Sequence, residues 1–284
     1  MQRTQRVAVV TDSTSYLPAG VADRLGVRVV ELQVDLAGRS GREGSEISPS
    51  DVTAVLRQHG AVTTSRPSPA DFVKVFKAAL AGGADAVVSV HLSAQLSGTC
   101  DSARLAAAEF DDSVVTVVDS RATAMALGFS VMAAAELAAQ GGTAPTVAAA
   151  ATECIDRSSA LFYVDSLEWL RRGGRIGTAA AMFGTALSVK PLLHMVNGRI
   201  VPMEKVRTAS KAIARLVQIA VAAAGESQVD LAVQHLASSE RAAEVARQLS
   251  EQVPHIRSMY ASEVGAVVGA HVGPGLIGVV VRRL

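Results

Sequence analysis

The sequence predicts an α/β protein of two domains, an N-terminal parallel sheet covered by helices and a C-terminal α+β domain. In the first half, short β-branched runs alternate with Ala-rich segments of helical length, the pattern of parallel strands joined by helices. In the second half, Asn197-Gly198 separates two apolar runs and indicates an antiparallel hairpin. A chain of 284 residues is long enough for two domains of ordinary size, which we place at residues 1–157 and 158–284.

The first half is predicted to be a series of strand–helix pairs. Its strands are expected at residues 6–11, 27–34, 86–90 and 113–118, and its helices near residues 18, 48, 70 and 99, followed by a long helix ending near residue 140. Residues 38–46 are predicted to be a polar loop. The prolines within residues 63–69 predict an extended segment before the next helix.

The second half mixes strands and helices without the regular alternation. We expect a strand at 161–164, a short helix opened by Asp165-Ser166, a break at 171–177, a helix at 178–187, a hairpin at 189–203, a helix at 208–224, a strand at 229–234 and a helix at 239–251. The run 264–281 has 18 residues without Asp, Glu, Lys or Arg, but its five glycines and Pro274 make a poor membrane helix. It therefore predicts a buried strand, a Gly-rich loop and a second strand.

The composition argues against several classes of function. Twenty-seven basic and 26 acidic residues leave a formal charge of +1, which gives no electrostatic case for nucleic acid binding. The isolated cysteines Cys100 and Cys154 form neither a disulfide framework nor a CxxC pair, and fit a reducing cytoplasm. The six histidines lack metal-ligand spacing, so we expect no metal. No apolar leader follows Met1, and we expect a cytoplasmic protein without a transmembrane segment.

The stretch most suggestive of a ligand site is residues 87–110. A buried strand leads into a turn rich in Ser and Gly, and then into an Ala-rich helix opening near Gly98 or Thr99. Ser97 is placed to cap this helix, whose free N–H groups attract anions. The alternative is an ordinary βα turn with a capping serine that binds nothing.

Motifs of common enzyme classes are missing or misplaced. Gly273 to Gly278 matches GxGxxG, but the chain ends six residues later, so no dinucleotide-binding unit can follow. The sequence contains no phosphate-binding P-loop and no GxSxG nucleophile elbow. A hydrolytic trio of Ser97, His271 and Asp12 can be assembled on paper, as in any chain of this length. We therefore expect no catalysis by this chain alone.

An ordered set of short motifs covers nearly the whole chain. They are Val-Thr-Asp-Ser-Thr (10–14), Thr-Ser-Arg-Pro-Ser (64–68), Leu-Ser-Gly-Thr (96–99), Val-Val-Asp-Ser (117–120), Leu-Arg-Arg-Gly-Gly-Arg-Ile (170–176), Val-Lys-Pro-Leu (189–192), Lys-Val-Arg-Thr (205–208) and His-Val-Gly-Pro-Gly (271–275). In this order and at these separations, the chain resembles the DegV family. The characterised members of that family are the fatty-acid-binding (FakB-type) subunits of bacterial fatty acid kinase.

The resemblance implies a fatty acid held between two α/β domains, with its acyl chain in an apolar tunnel. It implies that Thr64, Ser97 and His271 bind the carboxylate, and that Arg175 lies near the head group. There a partner kinase would supply the phosphate donor and Mg²⁺ and form an acyl phosphate for phospholipid synthesis. The implied ligand is the fatty acid, with no cofactor of the protein's own. The family usually has Gln where this chain has Arg66, and this difference affects the residues expected around the head group.

Two other functions stay open at this point. The first is a stand-alone α/β enzyme acting on a small carboxylate or phosphate ester, and the second is an interaction protein whose lipid is structural. His271 can also be a structural histidine in a glycine-rich turn, and Arg175 can simply cap a short helix ending at Gly173. Transient contact with a membrane surface is compatible with any of these. The acyl chain length cannot be derived from the motifs.

Overall fold

The computed structural model describes residues 5–176 and 190–284. The helix predicted at 178–187 and the first residue of the predicted hairpin lie outside the described residues. The strands are β1 (Val7–Asp12), β2 (Arg28–Val30), β3 (Gln33–Leu36), β4 (Arg39–Arg42), β5 (Val62–Ser65), β6 (Ala86–His91), β7 (Val115–Asp119), β8 (Ser158–Tyr163), β9 (Lys190–Val196), β10 (Arg199–Val206), β11 (Val229–His235), β12 (Ile256–Glu263) and β13 (Ile277–Arg283). The α-helices are α1 (Val21–Leu25), α2 (Pro49–Arg57), α3 (Pro69–Ala81), α4 (Thr99–Ala107), α5 (Ala124–Ala139), α6 (Ala144–Asp156), α7 (Glu168–Arg172), α8 (Ala209–Ala224), α9 (Ser239–Gln252) and α10 (Ala266–Val272).

The chain divides into two compact units. The first comprises Met1–Gln33 and Ser65–Asp156, and the second comprises Val34–Thr64 and Arg157–Leu284. The segment Val34–Thr64, which the sequence had placed with the N-terminal domain, thus packs with the C-terminal residues. Burial explains this grouping, since Val52 of α2 lies against Gly269 of α10.

The first unit is built on a parallel four-stranded sheet in the order β2-β1-β6-β7. Every residue of β6 is buried, as expected for a strand with helices on both faces. Val88 packs in a cluster with Leu127 of α5, whereas Val87 packs with Phe72 of α3. The predicted α/β architecture of the N-terminal half is confirmed.

The second unit contains a mixed six-stranded sheet in the order β10-β9-β8-β13-β11-β12, and a separate three-stranded sheet in the order β4-β3-β5. Helices α8 and α9 bury Leu216 and Val245 against the larger sheet. Asn197 and Gly198 both have positive φ, of 47° and 80°, as a type I′ turn requires. The hairpin predicted from that dipeptide is confirmed as β9 and β10, which pair antiparallel.

Two local predictions were wrong, and two elements, strand β12 and helix α6, were not predicted. The first part of the run 264–281 is helix α10 rather than a strand. Its small apolar residues are buried on most sides, and a short apolar run of this kind has the same sequence pattern in a buried helix and in a buried strand. Strand β12 was missed, since its half-buried residues carry no clear alternation. Strand β4 lies within the predicted polar loop 38–46. In the described parts of the chain, no helix is long and apolar enough to cross a bilayer.

Candidate functional site

Ser97 lies beyond the carboxyl end of β6 in the first unit. The sheet order reverses between β1 and β6, and ligands of open α/β sheets bind in the crevice at such a reversal. The Ser97 backbone N–H donates to the carbonyl of Ser93 at 3.1 Å, and the Ser93 N–H donates to the carbonyl of Ala122 at 2.8 Å. This turn is therefore tied to the neighbouring segment after β7, which holds the partly exposed Ser97 in place.

The start of α4 differs slightly from the prediction. Gly98, not Ser97, is the N-cap, and it makes no side-chain cap. The Ser97 hydroxyl still accepts from the Thr99 N–H at 3.3 Å and lies 2.9 Å from the Thr99 hydroxyl. Arg66 covers this turn, because its Nη1 donates to the Gly98 carbonyl at 3.3 Å. A Cβ on Gly98 would lie 2.3 Å from that nitrogen, so the glycine makes room for the arginine.

Beneath this turn lies a fully buried polar network. Asp12 Oδ2 accepts from the Leu92 N–H at 2.9 Å and lies 3.0 Å from His91 Nδ1. Its Oδ1 accepts from the Thr14 N–H at 3.0 Å and from the Thr14 hydroxyl at 2.6 Å. His91 Nε2 in turn lies 2.6 Å from the Ser89 hydroxyl. Asp12 thereby ties the end of β1 to the start of the turn that carries Ser97.

Ser89, His91 and Asp12 have the distances of a hydrolytic triad. All three have no exposed surface, so a substrate cannot reach the Ser89 hydroxyl. Asp12 serves this network, not the trio with Ser97 and His271 that the sequence allowed on paper. The geometry therefore assigns the network a structural role, which is to hold the carboxyl ends of the central strands β1 and β6 together.

In the second unit, Thr64 and His271 come together although 207 residues separate them. Thr64 Oγ1 lies 2.9 Å from His271 Nε2, which is a hydrogen bond. Thr64 is near the end of β5, and His271 is in the last turn of α10. Burial lowers the pKa of His271 to about 4, with the Arg175 charge as a second cause. The imidazole is therefore neutral at pH 7.

A neutral imidazole has one donor and one acceptor nitrogen. With its proton on Nε2, His271 donates to Thr64 Oγ1. The Thr64 hydroxyl hydrogen is then left to donate to an anion. The pair therefore offers one neutral hydrogen-bond donor to an anion, the Thr64 hydroxyl, whereas positive charge must come from another group.

Two glycines of the motifs make room for neighbouring side chains. A Cβ on Gly173 would lie 2.2 Å from His271 Nδ1, so only glycine lets the imidazole approach the backbone there. A Cβ on Gly273, whose φ is +74°, would lie 2.0 Å from Cδ1 of Trp169. The motifs 170–176 and 271–275 are thus packed against each other, which explains why both carry glycine.

Arg175 is half-buried beside this pair, close enough for its charge to lower the pKa of His271. Its Nη1 donates to the carbonyl of Gly173, at the C-terminus of α7. This is the capping contact that the sequence left open as an alternative. One guanidinium therefore caps α7 and places a cation near the imidazole.

The structure therefore brings Thr64, His271 and Arg175 together, and it describes Ser97 within the other unit. Sequence reasoning missed the role of Gly173, although its place in the motif 170–176 was a signal. It also missed Glu43, whose carboxylate meets α10, because nothing local marks a partner 224 residues away.

Comparison with known proteins then identifies the family. The model of the DegV family, described as an uncharacterised protein family, matches residues 6–284. The chain belongs to the DegV family. A DegV domain-containing protein of Streptomyces coelicolor is 53% identical over 278 residues, covering 98% of this chain and 99% of that protein. Protein DegV of Bacillus subtilis is 37% identical over 276 residues, covering 96% of this chain and 98% of that protein.

Solved DegV structures match the whole chain. A DegV family protein from Thermus thermophilus, whose structure concerns fatty acid binding, superposes with a TM-score of 0.92 at 38% identity, covering 99% of this chain and 100% of that one. DegV from Bacillus subtilis, described as a fatty acid binding protein, gives a TM-score of 0.90 at 36% identity, covering 99% and 100%. These matches confirm the fold and family predicted from the motifs.

Proposed function

We propose that this DegV protein binds a long-chain fatty acid and presents its carboxylate to a partner kinase. The observation that carries the proposal is the match to the Thermus thermophilus protein, whose structure concerns fatty acid binding, over 99% of this chain. The pairing of Thr64 and His271 supports it, since two motifs far apart in sequence meet at one hydrogen bond.

In this proposal, Thr64, Ser97 and His271 hold the carboxylate. A carboxylate that leaves water needs donors, because an unpaired buried charge costs several kcal/mol or more. The Thr64 and Ser97 hydroxyls are neutral donors, and the neutral imidazole orients the Thr64 hydroxyl by donating its Nε2–H to the hydroxyl oxygen. Arg175 supplies the positive charge that the neutral imidazole lacks.

The acyl chain supplies most of the affinity. A 16-carbon tail, at about 0.8 kcal/mol for each buried CH₂, contributes on the order of 12 kcal/mol before the cost of ordering it. The polar residues then select the head group. Changing one of them is expected to weaken binding without abolishing it.

The proposed reaction belongs to the complex with a kinase. A carboxylate oxygen attacks the terminal phosphorus of a nucleoside triphosphate held by the kinase. The bond from that phosphorus to the bridging oxygen breaks, which gives an acyl phosphate and a nucleoside diphosphate. Arg175 is proposed to stabilise charge near the acyl carboxylate, while the kinase supplies the nucleotide and Mg²⁺.

The first test is mass spectrometry of lipids extracted from the purified recombinant protein. We expect about one fatty acid per chain, and delipidated protein should rebind palmitate or oleate. An empty protein that also fails to bind added fatty acid would contradict the proposal and favour the stand-alone enzyme.

The second test separates binding from phosphotransfer. Arg175→Ala is expected to retain fatty acid and to lose acyl phosphate formation when a cognate kinase and nucleotide are added. Arg172→Ala, which removes an exposed arginine on α7, is the matched control. Equal phosphorylation of the Arg175 variant would contradict the role assigned to Arg175.

A further inference from the structure

A buried carboxylate meets the start of the helix that carries His271. Glu43 is only 4% exposed, and its Oε1 accepts from the Val267 N–H at 2.7 Å. The two residues are 224 positions apart and lie in the same unit. A carboxylate buried this far needs strong donors, and the Val267 N–H is one of them.

The position of this contact on α10 determines its effect. The first N–H groups of a helix have no partner within the helix, and the helix dipole makes that end positive. The N-cap of α10 is Gly265, which has no side chain to accept from them. Glu43 therefore does from a distant segment what a capping residue does locally.

His271 lies four residues beyond Val267, in the last turn of the same short helix. At 1.5 Å per residue, that is about 6 Å along the helix axis. The Gly269 N–H donates to the Gly265 carbonyl and the Gly273 N–H to the Gly269 carbonyl, so hydrogen bonds link the two ends of the helix and a shift at its first turn is expected to carry the imidazole with it. The hydrogen bond to Thr64 and the close fit against Gly173 tolerate little movement.

We propose that Glu43 is a positioning residue of the head-group site. By accepting from Val267, it holds α10 where His271 Nε2 meets Thr64 Oγ1. Its effect on ligand affinity rests on the proposed fatty acid function, whereas its effect on the imidazole does not.

The experiment compares three variants of the full chain. Glu43→Ala removes the acceptor, and Glu43→Gln keeps an acceptor oxygen without the charge. Glu46→Ala is the matched control, since this exposed glutamate lies three residues away and accepts from the Arg42 N–H. The first readout is the NMR titration of the His271 ring, assigned with His271→Asn, and the second is the palmitate affinity of delipidated protein.

We expect Glu43→Ala to raise the His271 pKa by about one unit or more from its value near 4, because a displaced ring gains solvent. Palmitate affinity should fall about tenfold, the cost of one lost hydrogen bond to the ligand. Glu43→Gln and Glu46→Ala should titrate like the unmodified protein.

A rescue tests whether Glu43 acts through the helix start. Gly265 has φ −72° and ψ −177°, a conformation open to serine, whose hydroxyl can cap the first turn of α10. In the Glu43→Ala background, Gly265→Ser is therefore expected to restore the His271 titration. A structural role in the core alone would not be rescued at that position.

Each outcome decides the proposal. A folded Glu43→Ala protein with unchanged His271 titration would overturn it. Misfolding or an altered titration that Gly265→Ser does not restore would assign Glu43 to general packing and would also overturn it. If the unmodified protein binds no palmitate, the proposed function fails, while the ligand-free titration still decides the role of Glu43.

Discussion

The two units hold their motif residues in place by different means. Ser97 follows β6 directly, and its turn is held by backbone hydrogen bonds and by the buried carboxylate of Asp12 beneath it. His271 is positioned by groups from distant segments, among them Thr64, Gly173 and Glu43. The first arrangement is built on buried contacts at the ends of two adjacent strands of one sheet, β1 and β6, whereas the second depends on several segments that share no sheet. A change to the groups that hold the Ser97 turn should therefore affect mainly stability, whereas a change to the groups that hold His271 should affect mainly ligand geometry.

The largest expected effect is on the network below Ser97. Four groups of the protein meet the Asp12 carboxylate oxygens. Asp12→Asn replaces one of these oxygens by an NH₂ donor, which faces a group that also donates, and is expected to lower the free energy of unfolding by about 3 kcal/mol. Asp101→Asn, an exposed acid on α4, should change it by less than about 1 kcal/mol. Urea denaturation checks both, and equal stability of the two variants would contradict the role given to Asp12.

The next effect is on the geometry around His271. Gly173→Ala places a Cβ against the imidazole and is expected to weaken palmitate binding tenfold or more with little loss of stability, since φ at this position is −75°. Gly174→Ala is the matched control, because its Cβ would meet nothing but its φ of +70° is strained. That control should cost about 1 kcal/mol of stability and leave affinity nearly unchanged. If Gly173→Ala instead lowered stability and left palmitate affinity unchanged, the proposed difference between the two units would be contradicted.

Single hydroxyl deletions compare the two units directly. Thr64→Val and Ser97→Ala are each expected to weaken palmitate binding about fivefold to tenfold, because each removes one donor to the carboxylate. Isothermal titration of delipidated protein measures this, with Ser65→Ala, at an exposed neighbouring position, as the control. No effect of Ser97→Ala would restrict the head-group site to the second unit.

A last effect, confined to acidic pH, is on the pH dependence of stability. The pKa of His271 is about 4 in the folded protein, below the ordinary 6.5, so between pH 6.5 and pH 4 the unfolded chain binds a proton that the folded chain does not. The His271 contribution therefore lowers the free energy of unfolding as the pH falls through this window. His271→Asn should flatten this part of the profile, as measured by thermal melts. An unchanged slope would contradict burial of the ring.

The sequence by itself determined the family, the α/β class and most elements whose signals are local. The Asn197-Gly198 turn, the helix starts near residues 48 and 70, and the buried strand β6 are examples. Each depends on neighbouring residues, so the pattern along the chain contains the needed information. The motifs also pointed to Thr64 and His271, which meet in the structure.

Only the tertiary structure decided what depends on distant partners. Whether residues 266–272 are helix or strand is not set by their own apolar pattern, and the buried carboxylate of Glu43 is what meets the helix start. The segment Val34–Thr64 packs with the C-terminal residues for a similar reason, since burial depends on the surfaces that meet and not on position along the chain. Long-range contacts of this kind leave no periodic signal in one sequence.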